Sequence, residues 1–125
     1  MASRWLAAFA VAAVLALPVV AGCGSSTAVE AQAVQAAAAE GALLARSSGQ
    51  GDLTGAFVRV HSGELAGAAR RTAEGLPDGR LRDLAEQAAT DIDRIPGASG
   101  AELAGLRTRL DAIAKRAEAI GRRAG

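Results

Sequence analysis

Alanine constrains this chain more than any other feature. It supplies 33 of the 125 residues, while two Phe, one Trp and no Tyr make up the aromatics. An interior made of such material has few bulky side chains to fill it, so the elements that enclose it must approach closely to reach normal packing density. Alanine is also the strongest helix former, whereas strands draw on β-branched and aromatic residues. No segment alternates apolar and polar residues over the length of a strand. The expectation is an all-α fold, and the length allows one domain.

Gly, Pro and Ser divide the chain after residue 24 into four helical segments, expected at about 28–46, 53–74, 79–95 and 100–122. Thr27-Ala28-Val29-Glu30 fits a capping box, in which a hydroxyl and a carboxylate three residues apart satisfy each other's backbone amides. Ser99-Gly100-Ala101-Glu102 fits a second. Asp52 suits the N-cap of the second helix and Asp78 that of the third. Gly75, followed by Pro77, suits the end of the second helix.

Apolar residues recur at helical spacing within these segments. The fourth carries Leu103, Leu106, Leu110, Ile113, Ala117 and Ile120, in alternating steps of three and four. The third has Leu81, Leu84, Ala88, Ile92 and Ile95 on one face. The second offers Leu53, Phe57, Val60, Leu65, Ala68 and Leu76. The first gives the weakest signal, with Val29, Ala33, Ala37 and Leu44 among many alanines. Gly55, Gly63 and Gly67 weaken the second helix unless they let a neighbour approach. Loops of a few residues make sequential helices antiparallel, so residues 28–125 are expected to form an up-down-up-down four-helix bundle.

The first 22 residues, MASRWLAAFAVAAVLALPVVAG, have a different character. Arg4 precedes an apolar run from Trp5 to Ala21 interrupted only by Pro18, the order of a secretory signal. The run is at the lower limit for a membrane span, and Pro18 disturbs its last turn. It ends in Val20-Ala21-Gly22-Cys23, and Cys23 is the chain's one cysteine. This segment resembles the lipobox of bacterial lipoprotein precursors, in which an aliphatic and two small residues precede a cysteine. The resemblance covers residues 1–23. It implies a signal peptide over 1–22, cleavage between Gly22 and Cys23, and acylation of Cys23. Two or more acyl chains give stable anchoring at about 0.8 kcal/mol per buried methylene. Residues 23–27 then form a lipidated tether, and the bundle is held at the extracytoplasmic face of a cell membrane.

Composition excludes several chemistries. One cysteine cannot form a disulfide within the chain. A formal charge of +1 and so few aromatics argue against nucleic acid as a partner. His61 is the only histidine, so two Glu-x-x-His pairs for a di-iron site and bis-His haem ligation fail by count. His61 and Glu64 have the spacing of a proton-transfer dyad, but a boundary histidine hydrogen-bonded to Glu64 or to a neighbouring helix accounts for both residues. Asp83, Glu86, Asp91 and Asp93 crowd the third helix. Their interleaving with Arg80, Arg82 and Arg94 reads as a solvated ion-pair face. No catalytic residue, metal or cofactor is expected.

Charge is unevenly distributed. Residues 28–102 carry eleven acids and seven bases, and residues 103–125 carry six bases and two acids. The bases of the last helix are expected either to balance the acidic third helix or to meet an anionic surface. The bundle topology favours a sharper form of the second reading. The first helix begins within ~13 Å of extended chain from Cys23, and the fourth helix returns to that same end. Arg122 and Arg123 then face the headgroups, each contributing on the order of 1 kcal/mol. The functional expectation is a non-catalytic protein-interaction or envelope-associated module. The alternative is a small-ligand or lipid-binding protein with a cavity between its helices.

Overall fold

The computed structural model describes residues 26–125, which form four helices: α1 (Ser26–Gly49), α2 (Gly55–Glu74), α3 (Arg80–Asp93) and α4 (Gly100–Ala124). No strand occurs among the described residues, and the packing is that of a four-helix bundle. The leader 1–22, the Gly22–Cys23 bond and Cys23 itself lie outside the described residues. Among the described residues no helix is long and apolar enough to cross a membrane.

The two longest helices, α1 and α4, pair most extensively, and α2 pairs with α3. Helix α1 also touches both α2 and α3, and α3 touches α4, whereas α2 and α4 do not meet. The bundle is thus flattened: α1 and α3 close its short diagonal, and α2 and α4 stand at the ends of the long one.

Small side chains make the short diagonal possible. Ala38 and Ala42 of α1 and Ala85, Ala88 and Ala89 of α3 are buried in the core, with Ile92, Leu110 and Ile113 as its larger members. Gly41 lies at the closest approach. A Cβ there would come within 2.7 Å of Ile92 Cγ1 and 3.2 Å of Leu110 Cδ1, so α3 and α4 both press on α1 where it has no side chain.

The helix ends differ from the expected ones in instructive ways. Helix α1 continues through Ser47, Ser48 and Gly49 and stops at Gly51, whose φ of +75° suits glycine. Gly51 N–H donates to Ser48 O and Asp52 N–H donates to Ser47 O, the paired bonds of a Schellman motif. Asp52 therefore helps to close α1 rather than capping α2. The N-cap of α2 is Thr54, whose Oγ1 accepts from Phe57 N–H at 3.2 Å. Thr27 lies inside α1, so it does not act as the expected cap. Gly75 stays right-handed, at φ −80°, instead of taking a left-handed C′ position. Gly79, at φ +152°, is the N-cap of α3, while Asp78 bonds Arg82 at 3.0 Å. Helix α3 ends at Asp93, and Ile95 beyond it is buried in the loop. Half of the expected capping box forms at Ser99: its Oγ accepts from Glu102 N–H at 3.2 Å, but Glu102 Oε1 accepts from the Ser99 hydroxyl at 2.9 Å rather than from the Ser99 amide.

The expected apolar faces hold for α3 and α4. Leu84, Ala88, Ile92 and Ile95 are buried with Leu103, Leu106, Leu110, Ile113 and Ala117, and Leu81 and Ile120 are half-buried. The regular seam of α4 is therefore used within the molecule. Helices α1 and α2 are rotated from the expected phase. Ala31, Val34, Ala38 and Ala45 point inward in α1 beside Leu44, the one expected position that is fully buried, leaving Val29 and Ala33 exposed. In α2 the buried positions are Val58, Ser62, Leu65, Ala66, Ala69 and Ala73, which turns Phe57 and Val60 outward.

Candidate functional site

Chemistry-bearing residues gather at three places: the middle of the α3–α4 contact and the two ends of the bundle. The middle holds Asp91, a carboxylate only 1% exposed. Its Oδ2 accepts from Arg109 Nε of α4 at 3.1 Å, while Oδ1 is buried with no hydrogen-bond partner among the described residues. Arg109 reaches it from a side chain that is 61% exposed, so the pair is dry on one side and wet on the other. The expected solvated ion-pair face is thus only partly right. Asp93 does pair with Arg70 of α2, and Glu86 with Arg82, at the surface. Asp91 instead points inward. No group of three or more acidic, His or Cys side chains among the described residues is arranged to hold a metal ion.

The far end, where α1 closes and α2 begins, carries His61. Its ring stacks on Phe57, with centroids 5.3 Å apart and planes 21° from parallel. No hydrogen bond joins it to Glu64 among the described residues, so neither the dyad nor the expected boundary hydrogen bond forms. The stack leaves Phe57 49% exposed and Val60, one turn on, 63% exposed. Phe57, Val60, Glu64, Gly67 and Arg71 recur in steps of three and four along the face of α2 opposite its core. Phe57 and Val60 belong to the apolar face expected from the sequence, and the structure turns both outward.

The near end combines the start of α1 with the end of α4. Gly121 approaches Ala31, where an added Cβ would lie 3.2 Å from the alanine methyl. Ser26 and Ala124 therefore belong to one end of the molecule, as the antiparallel topology requires. Arg122 and Arg123 are both exposed there but differ in setting. Arg122 Nη1 lies 3.6 Å from Glu118 Oε1 and lines a groove against α1 with Ala28 and Gln32. Arg123 turns to the opposite side and lines a cleft with Arg80 of α3 and Arg116 of α4.

The bases of α4 do little to balance α3. Only Arg109 crosses to an acid of α3, while Arg107 and Arg122 pair within their own helix, with Asp111 and Glu118. Lys115, Arg116 and Arg123 form no ion pair among the described residues. Arg80 was expected in the ion-pair face of α3 but forms no ion pair among the described residues, and only the packing of α3 on α4 brings it to one cleft with Arg116. Comparison with protein-family models, with curated proteins and with solved structures finds no match to the chain.

Proposed function

We propose that the chain is a lipid-anchored, extracytoplasmic helical-bundle protein that binds an envelope protein through the outward face of α2, without catalysing a reaction. The observation that carries this reading is the polarity of the bundle. Its near end lies within a few residues of Cys23 and displays Arg122 and Arg123. Its far end displays Phe57, Val60 and the stacked His61. A molecule tethered by Cys23 and seated on its basic end presents that apolar turn away from the bilayer, where another protein can cover it. Aromatic anchors at the centre of a small patch supply a large share of binding energy in protein interfaces. The charged positions Glu64 and Arg71 further along the same face would set the register of a partner helix.

A photoreactive amino acid placed at Val60 of the full chain, in cells of its source, should give one discrete adduct in the membrane fraction. The same reagent at Thr108, exposed on α4, should not give that adduct, and Phe57→Ser should abolish it. Identical adducts from both positions, or an adduct indifferent to Phe57→Ser, would overturn the reading.

A further inference from the structure

The cleft between α3 and the last turns of α4 encloses about 440 Å³ and brings Arg80, Arg116 and Arg123 to one opening. Asp83 is the single carboxylate on its wall, so the lining carries a formal surplus of two positive charges. Gln87 adds an amide, and Ile120 is among the apolar side chains of the wall. None of the three guanidinium groups has an ion-pair partner among the described residues. This is not for want of acids in the molecule: Arg70, Arg82, Arg107, Arg109 and Arg122 all reach carboxylates. Folding thus collects like charges around one concavity and leaves their mutual repulsion to solvent, a cost that a bound anion removes.

Guanidinium groups are planar forks whose paired N–H donors match phosphate oxygens, and they are less strongly hydrated than ammonium groups. All three bases of the lining are arginine, and the chain's one lysine, Lys115, lies outside it. The space is many times the ~30 Å³ share of one water, which suits a phosphate carrying a polar substituent better than a bare ion. Position then chooses the source. Arg123 lies two residues beyond Gly121, which packs on Ala31 near the start of α1. Ser26 is three residues from Cys23, at most ~11 Å of extended chain. We infer that the Arg80–Arg116–Arg123 cleft binds the phosphate of an anionic phospholipid headgroup in the membrane that holds Cys23. This inference rests on the anchoring proposed above.

The test uses the full chain, expressed in a bacterial host, processed there and extracted in neutral detergent. It is titrated with dihexanoyl phosphatidylglycerol, dihexanoyl phosphatidylcholine or inorganic phosphate, and adducts are counted by native mass spectrometry. One phosphatidylglycerol should bind in preference to phosphatidylcholine. The double variant Arg116→Gln, Arg123→Gln should bind about tenfold more weakly or worse, as losing charged hydrogen bonds requires. Arg46→Gln, at the far end, should bind as the parent does. Arg80→Gln, in the exposed first turn of α3, gives a second reading of the cleft if the double variant loses its helical circular dichroism. Unchanged binding in a folded cleft variant overturns the proposal. So does inorganic phosphate competing at concentrations equal to the lipid, since the site is then one for free phosphate. The intact mass of the same preparation reads the anchor separately. An unmodified Cys23 overturns the membrane source, whereas acylated Cys23 with no selective titration overturns the cleft alone.

Discussion

Asp91 shows how one residue's surroundings reverse the meaning of its neighbours. In sequence it is one of four acids among arginines, yet at 1% exposure it is the only charged side chain in the core among the described residues. A buried carboxylate with one oxygen bonded and the other unpartnered depends on its single cation, because losing that partner leaves a desolvated charge uncompensated. Arg109 is more than half exposed and can be rehydrated if Asp91 is removed. The two deletions are therefore unequal. Arg109→Met should destabilise the folded chain by about 1–3 kcal/mol, the cost of an unsatisfied buried group. Adding Asp91→Ala to that variant should recover part of the loss, because the orphaned charge leaves with the carboxylate. Urea unfolding of the two single variants and the double closes the cycle, and simple additivity would show that the pair is not coupled. At about 100° per residue Asp91 stands about 80° from Asp83 and more than 120° from Glu86 and Asp93, beside the face that carries Leu84 and Ala88. Spacing places it at the border of the apolar face, and only the packing of α4 decides that a border acid is buried.

At the scale of elements, legibility followed the contrast between faces. Helices α3 and α4 were read in the correct phase because charged residues mark their outer sides as clearly as Leu and Ile mark the inner ones. Helix α1 offers alanine on nearly every face, so rotating it changes the buried apolar area little, and the choice of face falls to its neighbours. What decides it is Gly41, the position α3 and α4 both require to be empty. A glycine in the middle of α2 would suit the close approach of a neighbour, but a Cβ at Gly63 meets nothing within 4 Å. These two helical glycines therefore predict opposite responses to the same methyl. Gly63→Ala should stabilise the fold by about 0.5–1 kcal/mol through helix propensity alone. Gly41→Ala gains a similar propensity term but forces Ile92 and Leu110, both fully buried, out of place. Overpacking of that kind costs about 1–3 kcal/mol, so the net change should be destabilising. Thermal melts followed at 222 nm should separate the pair by several degrees, at about 4–8 °C per kcal/mol for a domain of this size. Equal shifts would mean that α1 and α3 do not meet at Gly41.

For the whole molecule, direction relative to the membrane is the property that would join the proposed anchor, the basic cleft and the apolar turn of α2. A lipid on Cys23 would fix one point and leave the bundle free to lean. Contacts from Arg122 on the α1 side of α4 and from Arg123 on the α3 side would hold the near end down on two flanks. Each arginine near an anionic surface contributes on the order of 1 kcal/mol, and the contribution falls away within about a Debye length. That sum exceeds thermal energy by a few-fold, enough to orient a bundle whose α1 alone rises ~36 Å. The consequence is a height difference along α1 that can be measured. Gln32, exposed near the start of α1, and Gln50, exposed just beyond its end, are separated by roughly 27 Å of helical rise. With Cys23 acylated, a cysteine introduced at either position becomes the only free thiol for a fluorophore. Energy transfer to acceptor lipids in anionic vesicles should then be strong from Gln32→Cys and weak from Gln50→Cys. Raising the salt concentration, or changing both Arg122 and Arg123 to Glu, should narrow that difference without releasing the protein, because the proposed anchor is hydrophobic and the proposed orientation electrostatic. A contrast between the two positions that survives both treatments would assign the orientation to the tether and remove the arginines from it.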